Sequence, residues 1–259
     1  MYFWRTIFIV ALVVMISQLW DHPYLVPLKI FTVYLHELSH ALAALLTGGK
    51  VEAIGLGWNE SGSVTTRGGI IPLIALAGYL GSMFWGSLMV HLALRNQWTR
   101  LVAFLVAILF LALIVIPQPD ENPSKGLTHN KVPGLGWGIL FGVSALFMPF
   151  FARVLIFLLG GVTTIYSLID LKDFFSGSIM KTDAGLIAQH LVGNTIYGKV
   201  LAYLIAGGIS FLAIYILFYM ISRTLIRPVE PYSDNYDLQE ENWKPASDLN
   251  SQVSKWRNE

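Results

Sequence analysis

Residues 27–49 read PLKIFTVYLHELSHALAALLTGG. Proline fits the first turn of a helix and Gly48-Gly49 supplies a stop, so the spacing predicts one helix from about Pro27 to Thr47. That run matches the roughly 20 residues a helix needs to cross a bilayer core of about 30 Å. Inside it stand His36, Glu37 and His40. Helical residues four apart share a face, so both imidazoles can reach one ion. Glu37 follows the first histidine, where it can accept a proton from a metal-activated water. The plain alternative is a pair of structural histidines. By composition the pattern arises by chance in well under about one chain in a hundred. Ionisable groups inside a membrane helix are also costly, and they mark function by default.

The rest of the chain agrees with a membrane setting. Of 259 residues, 55% are apolar and 13% charged, and the mean hydropathy is +0.60. An ordinary soluble domain carries about 25% charged residues. Further apolar runs predict membrane helices at about Tyr2–Trp20, Ile70–Leu94, Trp98–Ile116 and Lys199–Ile221. Gly136–Leu171 is too long for one straight span, and Pro149 divides it. The first run reads as an uncleaved helix and not a signal peptide. Arg5 is its only early cation, and no small-x-small cleavage site follows. The expected fold class is an all-α polytopic membrane protein with six or seven transmembrane helices. A small membrane-associated β-hairpin follows the histidine-bearing helix. In it, Val51–Trp58 and Ser63–Thr66 flank the turn signal Asn59-Glu60-Ser61-Gly62.

Four parts follow from this division. Residues 1–24 are the first helix and a loop, 25–198 the membrane core, 199–227 the last helix, and 228–259 a polar tail. The tail holds seven acids against three bases and reads as disordered. Pro117–Pro133 is a polar, proline-rich loop, and Thr182–Val192 reads as an amphipathic helix opened by a Thr-Asp cap. In that helix Leu186, Ile187 and Leu191 are expected on one side. The net charge of +1 offers nothing to nucleic acid. The lipid bilayer is the expected surrounding, and the protein an integral, multi-pass one.

There is no cysteine, so a metal must be held by His, Asp or Glu. Imidazole and carboxylate ligands suit Zn2+, and catalytic zinc usually has three protein ligands and an open position. With His36 and His40, Asp170 is the leading third ligand, because it closes the apolar run Val154–Ile169. Asp173, Asp183, His190 and Glu52 are its rivals. On the third helix Gly78, Gly81, Ser82 and Gly86 form a small-residue face. Such a face serves close helix packing, or packs on the metal helix and admits substrate.

His36-Glu37-Leu38-Ser39-His40-Ala41-Leu42-Ala43 with Gly48-Gly49 resembles the zinc helix of the site-2 protease family of intramembrane metallopeptidases. The hairpin is similar to that family's membrane-associated one, and Ala77-Gly78-Tyr79-Leu80-Gly81-Ser82 stands where the family has a Gly-rich third-helix motif. The likeness covers roughly residues 25 to 190, and is strongest to a compact, little-characterised branch. Better-known members carry the third ligand in an Asp-Gly motif, whereas Leu171 follows Asp170 here. The resemblance implies a zinc metalloendopeptidase acting on membrane protein or peptide substrates, with His36 and His40 on the metal and Glu37 as general base, while Asp170 stands as third ligand on the reading of the apolar run alone. The rival is a non-proteolytic metal-binding scaffold or a transporter. A transporter usually shows repeats and intramembrane polar groups in several helices. One cluster stands out here, which favours the enzyme.

Overall fold

The computed structural model describes residues 18–20, 22–57, 61–119, 130–169 and 179–221. The expected first helix, the hairpin tip, most of the polar loop, Asp170 with its neighbour Asp173, and the tail lie outside the described residues. Helix α1 spans Val26–Leu46, with Pro27 in its first turn. Its end is set by Gly48, whose φ of +83° no β-carbon tolerates easily. The Gly49 N–H then closes on the Ala44 carbonyl at 2.8 Å.

The chain turns next into strand β1 (Lys50–Leu56), which pairs antiparallel with β2 (Gly62–Arg67). A bulge between Val51 and Ala53 breaks the register near the base. At that base Gly49 meets Gly68, where a β-carbon would stand 2.8 Å from the Gly68 carbonyl oxygen. The hairpin is thus held tightly against the end of α1.

Among the described residues, parity along the hairpin decides which edge is free. In an antiparallel pair, residues alternate between bonding across the pair and pointing outward. The Gly57 N–H bonds the Ser61 carbonyl at 2.8 Å, so by alternation Gly55 and Ser63 bond across the pair too. Ile54 and Leu56 point outward. Ile54 N–H donates to the Pro117 carbonyl (2.9 Å), and Leu56 N–H donates to Asn130 Oδ1 (3.1 Å). Asn130 Nδ2 donates back to the Ile54 carbonyl (2.7 Å). The outer edge of β1 is therefore covered. Val64 and Gly62, opposite Ile54 and Leu56, turn their backbone groups toward the other side, away from β1.

Five more helices complete the described fold after α2 (Ile71–Leu94): α3 (Thr99–Ala112), α4 (Lys131–Phe147), α5 (Pro149–Ile169), α6 (Asp183–Val192) and α7 (Ile196–Ile221). Pro149 separates α4 from α5 as its missing N–H requires. In α2, α5 and α7 the described residues hold three helices long and apolar enough to cross a membrane. The apolar helices α3 and α4 have 14 and 17 residues, and 14 residues rise only about 21 Å. The result is a helical membrane protein with a β-hairpin directly after the histidine-bearing helix.

Helix α1 packs against α2, α5 and both strands. Its Phe31 stacks on Phe110 of α3 with centroids 5.0 Å apart and meets Trp137 of α4 edge-on. Tyr34 packs edge-on to Phe110 and donates its hydroxyl to the Leu109 carbonyl at 2.7 Å. Between helices in lipid the drive is close packing and polar satisfaction, not escape from water. The small-residue face of α2 follows that logic and divides in two. Gly78 and Gly81 receive side chains of α1, while Gly86 lies against Gly160 and Thr164 of α5.

Helix α6 differs in one respect from its expected amphipathic face. Ala184, Ile187 and Ala188 are buried, whereas Leu186 and Leu191 are exposed. The two alanines, four apart, let α6 close on Ala202 and Ala206 of α7, which larger side chains would hold off.

Candidate metal centre

His36 and His40 lie one turn apart on the buried face of α1, each 7% exposed. Their Nε2 atoms are 3.0 Å apart. Asp183 Oδ2 lies 3.1 Å from His36 Nε2 and 3.2 Å from His40 Nε2. The three atoms form a nearly equilateral triangle. Asp183 reaches them because it is the first residue of α6, where Thr182 caps the helix by accepting the Gly185 N–H at 3.3 Å. A carboxylate in the first turn of a helix sits favourably against the helix dipole.

Helix α2 fixes the rings. His40 Nδ1 lies 2.6 Å from the Ile74 carbonyl, which can only accept, so Nδ1 carries the proton. His36 Nδ1 lies 3.4 Å from Ser82 Oγ, and that hydroxyl gives its own hydrogen to the Gly78 carbonyl at 2.9 Å. Ser82 is then the acceptor for His36 Nδ1–H. With both Nδ1 protons committed, both Nε2 lone pairs turn to Asp183. Three electron-rich atoms thus converge in a buried place, and such a set is stable around a cation.

The donor set fits zinc. Ligands about 2.0–2.1 Å from a tetrahedral ion stand about 3.3 Å apart, close to the edges of this triangle. Two neutral imidazoles and a carboxylate are a common catalytic set that leaves a fourth position open.

Beside the triangle lies a cavity of about 740 Å³ that His36, His40 and Asp183 share with Glu37 and with Gly62, Val64 and Thr66 of β2. Glu37 is buried and faces Gly62, where a β-carbon would overlap its carboxylate. Tyr79 and Tyr166 stand edge-on to His36, with centroids 5.6 and 5.9 Å away.

The sequence profile of the family described as Peptidase M50B-like matches residues 9–220. The chain belongs to this family. No curated protein and no solved structure matches it. Membership makes the chain a protease of the site-2 type, and the family implies a metal. Within that frame, the structure brings together His36 and His40 with Glu37 beside them. The expected third ligand, Asp170, lies outside the described residues, and so does Asp173. Among the described rivals, Glu52 pairs with Arg67 at 2.7 Å and His190 is exposed near the far end of α6. Asp183 is the rival whose carboxylate meets the histidines. Its sequence signal was the cap that begins α6. Nothing in the sequence alone tied that cap to α1.

Gly78 tests the crowding of this centre. A β-carbon there would collide with both imidazoles. Alanine favours a helix over glycine, so Gly78→Ala is expected to keep α2 while displacing the rings. Metal affinity should fall on the order of 10- to 100-fold, the range seen when groups that orient ligands are lost. Chelator competition on the purified variant checks this, and unchanged affinity would refute the packing described.

Proposed function

We propose that the chain is an intramembrane zinc metalloprotease that hydrolyses peptide bonds of membrane-embedded substrates, with His36, His40 and Asp183 as ligands and Glu37 as general base. The observation that carries this reading is the triangle of two Nε2 atoms and one carboxylate oxygen with Glu37 on the same cavity. Zinc, when bound, supplies Lewis acidity, which makes water a stronger acid and stabilises negative charge on a carbonyl oxygen. Glu37 accepts the proton of the attacking water and returns it to the leaving amine. Burial keeps Glu37 away from competing solvent, and Ile74 and Ser82 keep the imidazoles from rotating. Asp183 balances charge at the centre.

A transmembrane helix hides its carbonyls in its own hydrogen bonds, so the substrate must be extended where it is cut. The free edge of β2 supports this part of the reading. Val64 and Gly62 direct backbone groups away from β1, and both residues line the cavity that holds Glu37. An extended segment adding to that edge would pair by main-chain hydrogen bonds, which are indifferent to sequence. Its scissile bond would then lie beside Glu37.

Three outcomes are expected. Glu37→Gln keeps the shape and removes the basicity. It should retain metal and lose roughly 100-fold or more in cleavage rate, measured on single-span peptides in liposomes at matched zinc content. Equal rates would exclude Glu37 as the base and favour a different mechanism. Asp183→Ala should lose metal, whereas Asp170→Ala should keep it. Metal analysis of both variants decides, and the opposite ranking moves the third ligand to Asp170. Val64→Pro removes an N–H from the free edge without touching a β1–β2 bond. It should slow cleavage at normal metal content, and an unchanged rate would leave the edge without a part in substrate binding.

A further inference from the structure

Asn130 occupies the N-cap position of α4, where asparagine is a favoured residue. Its side chain makes no bond to that helix. It is fully buried and turned instead onto β1, where it both accepts from Leu56 N–H and donates to the Ile54 carbonyl. Those two bonds satisfy outward-pointing groups of one strand, as a neighbouring strand would. A side-chain amide carries one acceptor and two donors, so it can serve an N–H and a C=O together. The Pro117 carbonyl takes the adjacent Ile54 N–H. The outer edge of the hairpin is thereby closed by the two ends of the connection between α3 and α4.

The partners of Ile54 and Leu56 on β2 are Val64 and Gly62. Both line the cavity, and Gly62 faces Glu37. We propose that Asn130 is a positioning residue for substrate: it anchors β1 at the two residues opposite the free-edge groups of β2, and so fixes the height of that edge relative to Glu37. This rests on the reading of β2 as the substrate-pairing edge. A two-stranded ribbon alone is marginally stable and strongly twisted. The amide clamp removes that freedom before substrate arrives, which lowers the ordering that binding must supply.

The test measures binding and not turnover. The parent is the full chain with Glu37→Gln, loaded with zinc. The probe is a fluorescent single-span peptide with an extended, glycine-rich segment long enough to pair along the six residues of β2. Asn130→Ala in this parent is expected to weaken binding about tenfold, the scale of one or two net hydrogen bonds. Zinc content should not change. Because Asn130 acts through the β2 edge, adding it to Val64→Pro should weaken binding little further than Val64→Pro alone. Asn130→Asp keeps the acceptor for Leu56 N–H and loses the donor to Ile54. It should also weaken binding, and it replaces Asn130→Ala if that variant does not fold.

The two readings fail separately. If Val64→Pro weakens binding and the Asn130 variants do not, the positioning role is overturned and the edge reading stands. Fully additive losses would also overturn it, because Asn130 would then act elsewhere. Zinc loss in both Asn130 variants would make the residue a general support of the fold. A probe that the parent does not bind, or binding indifferent to Val64→Pro, removes the edge reading and this inference with it.

Discussion

Everything at the centre depends on how closely α2 approaches α1. Two imidazoles on one helix face do not by themselves make a site, because each ring can turn and each has two nitrogens. The Ile74 carbonyl and the Ser82 hydroxyl remove that freedom by accepting the Nδ1 protons. They can do so only because glycine at 78 and 81 leaves room for His40, His36 and Ser39 against the α2 backbone. The same feature that packs the two helices together therefore also selects the tautomers. A membrane helix gains little from burial as such. Close packing and the polar contacts it permits are where the specificity of this interface lies.

The hairpin is placed by a second constraint of the same kind. Glycines at both ends of it meet face to face, and Gly62 meets the carboxylate of Glu37. The acid, the ligand atoms and the β2 backbone all line a single cavity as a result. An acid buried this deeply needs a reason to be there. Its position between the triangle of two Nε2 atoms and a carboxylate oxygen and a strand edge gives one.

Much of this was legible in the sequence. The 27–49 stretch carried its own start, stop and face, and the division at Pro149 followed from a missing N–H. The hairpin was visible as alternation around a turn signal, and the Thr182 cap fixed the start of α6. Local chemistry determines all of these. What the sequence did not carry is which distant acid meets the histidines. Asp170 and Asp183 both stand at the edge of an apolar or amphipathic segment, and no periodicity ranks them. The packing face of α6 was not legible for a related reason: its small alanines pack on α7, while Leu186 and Leu191 are left outside. Asn130 looked like an ordinary loop residue before a helix, because its partner is a strand more than 70 residues away.

The triangle joins α1 to the first residue of α6 across 147 positions of sequence. Chains are made from the amino terminus, so α1 with both histidines and Glu37 is synthesised long before residue 183 leaves the ribosome. Through that interval the cluster lacks its carboxylate. A half-made copy therefore has the acid and the imidazoles but not the assembled triangle. Completion of the cluster waits on one of the last described helices, so the order of synthesis itself decides when the cluster can form.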